Sequence, residues 1–228
     1  MYTVLFDIDG TLLSSGGAGK AAMEAALASE FGVTEVDDSV PFSGRTDRAI
    51  GYDLLQLHGI PNPPVAWPRL VAGYLRLLPG YLKSRPGQVL PGIAEMLKLL
   101  AERGDVSVGL LTGNVRDGAR LKLGHYGIAH HFTFGGFGDD HLDRCDVARE
   151  ALAAVRQRCR GDVDPSRIWV IGDTPLDIEC ARSIGARVVA VATGWHSLEL
   201  LAEAKPDLLL PDLSNPEPLW SLWTALRK

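Results

Sequence analysis

Thr3-Val4-Leu5-Phe6-Asp7-Ile8-Asp9-Gly10-Thr11-Leu12-Leu13 is the stretch that decides how this chain reads. Four residues of strand character run directly into two carboxylates at i and i+2. In extended backbone that spacing puts both on one side. The glycine after them lets the chain turn sharply and approach a ligand closely. Acids at the C-terminal end of a buried strand stand where open α/β sheets hold their ligands. The pattern narrows the chemistry to hard-cation binding, a carboxylate nucleophile, or both. The same residues also fit a hairpin, with Asp9-Gly10 as the turn and Thr11-Leu12-Leu13 opening the return strand.

The length of 228 residues suits one medium domain or two small ones. Apolar residues make up 46% and charged residues 22%, an ordinary globular composition. A formal net charge of −5 with no basic block argues against nucleic acid as a partner. No apolar run reaches the length of a membrane span, and no secretory signal precedes the first strand. Cys145, Cys159 and Cys180 lack metal-site spacing and fit reduced thiols, so a cytoplasmic protein is expected.

Downstream, Ser14-Ser15-Gly16-Gly17-Ala18-Gly19 reads as a flexible or tightly packed connection. Helical patterns follow over about 20–31, 47–58 and 65–78, and no strand is expected between residues 14 and 85. After Arg85-Pro86-Gly87 the character changes. Apolar strands at 106–111, near 132–134, and at 168–171, 188–192 and 208–210 alternate with helices at about 93–103, 116–126, 143–158 and 176–184. A last helix carries Trp220 and Trp223. Such alternation predicts an α/β fold: a three-layer Rossmann-like core with a parallel sheet, plus an inserted all-helical unit. The boundaries fall at 1–14 and 86–228 for the core and 15–85 for the insertion.

Three apolar strands end in polar residues: Phe6 into Asp7, Leu111 into Thr112, and Ile171 into Gly172-Asp173. In a parallel sheet these ends share one edge, so the polar groups converge on one crevice. At this point Asp7-Ile8-Asp9-Gly10-Thr11 resembles the D-x-D-G-T signature of the haloacid dehalogenase-like hydrolase superfamily. Thr112 is similar to its second motif, and Gly172-Asp173-Thr174-Pro175-Leu176-Asp177 to its fourth. The order and the inserted helical cap match as well, and the nearest subgroup is phosphoglycolate phosphatase-like.

The resemblance implies a role for each residue. Asp7 would be the nucleophile and Asp9 the general acid and base. Mg2+ would be held by a side-chain oxygen of Asp7, the backbone carbonyl of Asp9, and Asp173, with Asp177 acting through water or a second hydrogen bond. Thr112 and the backbone N–H groups of Gly113 and Asn114 would receive the phosphoryl oxygens, beside Gly10. The third motif usually carries Lys, yet no Lys lies between Lys122 and Lys205, so Arg144 is taken for that position. Its guanidinium keeps its charge and can grip two oxygens. Lys122, in mid-helix, is the rival and reads as structural.

Phe42-Ser43-Gly44-Arg45-Thr46-Asp47 looks like the G-x-T-D segment of the phosphoglycolate phosphatase-like relatives. Arg45 and Thr46 would then meet the substrate, which is compatible with Thr46 or Asp47 capping the next helix. The expected activity is an Mg2+-dependent phosphomonoesterase acting on a small phosphorylated metabolite through an aspartyl-phosphate. The alternatives are a phosphomutase of the β-phosphoglucomutase kind and a catalytically idle binding protein on the same fold. The expected partner is a small-molecule phosphate ester, with neither nucleic acid nor membrane, and the chain is expected as monomer or homodimer.

Overall fold

Tyr2–Phe6 (β1) is buried along its whole length because it lies at the centre of the main sheet. The computed structural model describes residues 2–225. β1 pairs in parallel with Val106–Leu111 (β4) on one side, Val4 opposite Val108, and with Ile168–Gly172 (β6) on the other, Val4 opposite Trp169. Gly135–Gly136 (β5), Arg187–Val191 (β7) and Leu208–Leu210 (β8) complete six strands in the order β5-β4-β1-β6-β7-β8. The chain runs outward from β1 through β4 to β5, then returns to the other side for β6. That reversal of direction opens a crevice at the strand ends beside β1.

The sheet is covered on both faces, as its apolar strands require. Val4 and Phe6 pack with Met96, Leu97 and Leu100 of the helix Ile93–Ala101 (α4). Leu5 points the other way, toward Val147, Ala151 and Val155 of Arg144–Cys159 (α6) and Ile178 of Pro175–Ser183 (α7). Arg116–His125 (α5) follows β4, and Leu198–Glu203 (α8) precedes β8.

Ala18–Phe31 (α1), Asp47–Leu57 (α2) and Pro63–Ser84 (α3) build a third apolar cluster around Met23, Leu27, Leu54, Trp67, Leu70 and Tyr74. Two short strands join this block to the sheet. Leu13–Ser14 (β2) pairs antiparallel with Gln88–Val89 (β3), so the chain leaves and re-enters side by side. Gly16 belongs to this junction and sits against the Pro86 carbonyl.

The alternative hairpin reading falls away, and two expectations need correction. The hairpin does not form: Leu13 N–H does return to the Ile8 carbonyl (3.0 Å), but the strand it opens pairs with β3 and not with β1. α3 does not stop before Pro79; Leu78 and Leu82 are buried in the helical cluster, and that packing outweighs the ~3 kcal/mol cost of a helical proline. The strand expected at 132–134 lies at 135–136. The aromatic residues carry the strand propensity, but α6 crosses so close to Gly136 that a Cβ there would overlap the Val147 carbonyl.

Glu217–Ala225 (α9) docks on the sheet through Trp223. Its ring stacks on Tyr2 at 5.9 Å and approaches Trp169 at 6.0 Å. Among the described residues no helix is long and apolar enough to cross a membrane. Trp223→Ala removes the largest side chain joining α9 to β1 and β6. It is expected to lower stability by about 3–5 kcal/mol, read as a lower urea midpoint.

Candidate active site

β1 delivers Asp7 to the crevice, with its backbone N–H bonded to the Ile171 carbonyl at 3.0 Å. The chain then winds tightly: the N–H groups of Thr11, Leu12 and Leu13 all point to the Ile8 carbonyl. Gly10 holds φ at +86°, and a Cβ there would run into the Asp173 carboxylate, so only glycine fits. Thr11 Oγ1 donates to Asp173 Oδ1 at 2.9 Å, which ties the turn to the end of β6.

Asp177 is fixed by the start of α7. Thr174 caps the helix, accepting from Asp177 N–H at 3.2 Å, while its own N–H donates to Asp177 Oδ2 at 3.0 Å. The other oxygen, Oδ1, accepts from Arg144. Arg144 opens α6, whose N-cap Asp143 accepts from Cys145 N–H at 2.7 Å. Its guanidinium also lies 3.2 Å from Asp7 Oδ1 and donates to the Gly44 carbonyl at 3.2 Å.

Asp7, Asp173 and Asp177 thus form a buried cluster, each offering an oxygen within 4.8 Å of the others. Burial pushes Asp7 up to about 7, against the opposing pull of Arg144. Burial also holds Asp173 well above the usual carboxylate range, with Asp177 and Asp7 adding to it. Arg144 loses hydration in the same place, but the carboxylates around it raise its pKa further. One cation therefore faces three acids. Asp7 Oδ1 is buried and accepts no hydrogen bond. An all-oxygen set with surplus negative charge fits a hard divalent cation. Asp7 and Asp173 are the ligands the geometry offers. Both oxygens of Asp177 are already engaged, so it stands behind them.

Asp9 has a different partner. Lys122 Nζ donates to Asp9 Oδ2 at 2.6 Å and to Asn114 Oδ1 at 2.6 Å. Asn114 Nδ2 donates to the same Asp9 oxygen at 2.9 Å and to Thr112 Oγ1 at 2.9 Å. Burial works against the Lys122 charge, but Asp9 beside it, with Tyr74 and Asp47, raises its pKa. The sequence suggests a structural Lys122; the structure puts it at the cavity, beside Asp9 and Asn114. The signal was present in the sequence, since Val115, Ala119, Lys122 and Leu123 share the buried side of α5. A lysine on such a stripe calls for a buried partner.

A cavity of about 390 Å³ opens over these groups. Asp7, Asp9, Gly10, Asp173 and Arg144 line its floor, with Gly113, Asn114 and Lys122 beside them. Met23, Phe42 and Ile50 contribute from the helical block and Trp195 from the loop after β7. Thr112 is fully buried behind Gly113 and Asn114. Arg45 lines the cavity, with its guanidinium engaged by Asp53 at 2.6 Å and the Pro41 carbonyl at 3.2 Å.

Thr46 is not among the residues that line the cavity. It is fully buried, and its hydroxyl accepts from Ala49 N–H at 3.1 Å as the N-cap of α2. The residue after it was missed as a site residue: Asp47 lines the cavity and accepts from Val115 N–H at 2.9 Å. Burial raises Asp47 to about 6, against the pull of Lys122. His141 pairs with Glu150 at 3.1 Å, away from the carboxylate cluster.

Residues 4–182 match the family described as haloacid dehalogenase-like hydrolase. A phosphoglycolate phosphatase of Synechococcus elongatus is 29% identical over 217 residues, 94% of this chain and 95% of that protein. Among solved structures, CbbY from Rhodobacter sphaeroides in complex with phosphate is similar with a TM-score of 0.72 at 19% identity, over 95% of this chain and 96% of that one. A putative β-phosphoglucomutase from Thermotoga maritima is similar with a TM-score of 0.62 at 20% identity, over 97% and 99% of the two chains. At these identities the two structures speak for the fold.

Asp177→Asn keeps the shape of the side chain but leaves Arg144 short of its main counter-charge. The loss of a buried partner is expected to destabilise the protein by about 3 kcal/mol, seen as a lower thermal midpoint.

Proposed function

The chain belongs to the haloacid dehalogenase-like hydrolase family, and from that premise we propose that it is an Mg2+-dependent phosphomonoesterase acting on a small phosphorylated metabolite through an aspartyl-phosphate. One observation carries the reading: Asp7, at the end of the central strand, has a buried oxygen without a hydrogen bond beside Asp173 and Arg144, at the floor of a cavity. A carboxylate so placed is pre-positioned to attack phosphorus. The likeness to the Synechococcus phosphatase across nearly the whole chain supports hydrolysis as the outcome.

In this reading the Asp7 carboxylate attacks phosphorus and forms the acyl phosphate. Asp9 gives its proton to the departing oxygen, then takes one from the water that hydrolyses the intermediate. Arg144 offsets charge where the phosphoryl group meets Asp7, a task that falls to fixed cations in phosphoryl transfer. Thr112 and the N–H groups of Gly113 and Asn114 receive the phosphoryl oxygens, with Gly10 giving the backbone room. Asp7, the Asp9 carbonyl and Asp173, steadied by Asp177, would hold Mg2+, which would supply the remaining charge neutralisation.

Residues 15–85 act as a cap on a core made of 1–14 and 86–228. The separate apolar cluster of α1–α3 and the paired strands at the junction support that division. The cap closes the cavity against water, and Arg45, which lines it, would meet the substrate. A volume of about 390 Å³ suits a metabolite of a few carbons.

The test is a panel of phosphorylated metabolites and 4-nitrophenyl phosphate, assayed with Mg2+ and with chelator. Phosphate release should require the metal and return on its re-addition. Asp7→Asn should lower kcat by roughly 10³-fold or more, as expected for loss of a nucleophile. Arg144→Ala should prevent accumulation of phosphoenzyme; if Lys122→Ala alone does so, Arg144 is not the phosphate-side cation. Turnover of a sugar bisphosphate with little free phosphate would move the chain to the phosphomutases. No turnover with or without Mg2+, and no trapping of fluoroberyllate, would mark an idle binding protein.

A further inference from the structure

Asp9 is held by one oxygen only. Lys122 Nζ at 2.6 Å and Asn114 Nδ2 at 2.9 Å both donate to Oδ2. Oδ1 accepts no hydrogen bond among the described residues, and the Asp9 side chain keeps 40% of its surface open. Two donors on one oxygen fix the rotation of the carboxylate. The oxygen left over is then the one that can exchange a proton with a molecule in the cavity.

The donors are themselves fixed. Asn114 has both ends of its amide in use, Nδ2 on Asp9 and Thr112 and Oδ1 on Lys122. Lys122 rises from the buried side of α5 and keeps only 5% of its side-chain surface exposed. Thr112, Asn114 and Lys122 all follow β4, so strand and helix together build one rigid mount for Asp9. A methionine or leucine would fill the same space without burying a charge, so packing alone does not call for lysine here. Arg144 already serves Asp7 and Asp177, and no bond joins Lys122 to either.

We propose that Lys122 is the positioning residue for Asp9: with Asn114 it pins Oδ2 so that Oδ1 faces the ester oxygen and carries the transferred proton. This rests on the phosphomonoesterase reading. As the Asp7–phosphorus bond forms and the ester P–O bond breaks, the Oδ1 proton moves to the leaving oxygen, which departs as an alcohol. As water then attacks phosphorus and the Asp7–phosphorus bond breaks, the water proton moves to Oδ1, and Asp7 is restored.

A misplaced general acid matters most for a poor leaving group. An alkoxide needs its proton in the transition state; 4-nitrophenolate departs without one. Lys122→Met should therefore lower kcat/KM for an alkyl phosphate about 100-fold, within the range general acids contribute, and that for 4-nitrophenyl phosphate less than about 10-fold. The loss with alkyl phosphate should fall on kcat and not KM, and Mg2+ affinity measured by calorimetry should not change. In an Asp9→Asn background, Lys122→Met should change kcat/KM by no more than about 2-fold, because the lysine acts through the missing acid. Asn114→Ala removes the other donor to Oδ2 and should carry the same leaving-group signature, so the inference stays testable if Lys122→Met does not fold.

Equal losses for both esters, or effects of Lys122→Met and Asp9→Asn that multiply, would overturn the role. Wild-type silence on every ester overturns the phosphomonoesterase reading and this one with it. An active wild type with multiplying effects overturns only the role of Lys122.

Discussion

The site depends on a buried guanidinium. Arg144 lies between Asp7 and Asp177, and among the described residues it is the cation paired within the three-carboxylate cluster. Charges out of water are tolerated only when paired and hydrogen-bonded. The fold supplies that pairing from four directions: β1 brings Asp7, α7 brings Asp177, the start of α6 brings the arginine, and Gly44 from the helical block accepts one of its hydrogens. Each element is placed by its own apolar packing, so the charge cluster reports that the whole sheet and both covering layers are assembled. The balance is incomplete: one cation does not neutralise three acids, and the surplus negative charge is what a divalent cation would offset.

A second cation serves a second acid. Lys122 and Asp9 form their pair at the edge of the same cavity, with Asn114 closing a ring of hydrogen bonds between them. The two aspartates of the opening motif are therefore unlike in environment. Asp7 is sealed and crowded by other acids, so burial drives it up to about 7. Asp9 is half-open and held by a lysine. The difference is the one that the proposed roles would require, a sealed nucleophile and an acid open to the cavity.

Much of this was legible from sequence because it rests on local pattern. The apolar runs before Asp7, Thr112 and Asp173 are strands, and their shared edge follows from the alternation of strand and helix. The start of α7 was readable from Thr174-Pro175, and α2 from Thr46, since capping is a matter of three or four neighbouring residues. What failed was decided by contacts between distant parts. β5 falls on two glycines because α6 crosses there, and α3 runs through Pro79 because Leu82 finds a place in the helical cluster. Thr46 is fully buried as the cap of α2, and its place off the cavity lining is likewise a matter of packing.

The sequence by itself determined the chemistry: which strands end in acids, in what order, and that an α/β sheet brings them to one crevice. It also showed that the third motif lacked its lysine and offered two replacements. Only the tertiary structure places each of them: Arg144 beside Asp7 and Asp177, Lys122 beside Asp9. Lys122 lies 113 residues from Asp9 and Arg144 lies 33 residues from Asp177 along the chain. No local rule links such positions. They meet because β1 sits between β4 and β6, so that α5 and α6 deliver one cation each to opposite ends of the Asp7–Asp9 turn. A buried charge then selects the partner within reach.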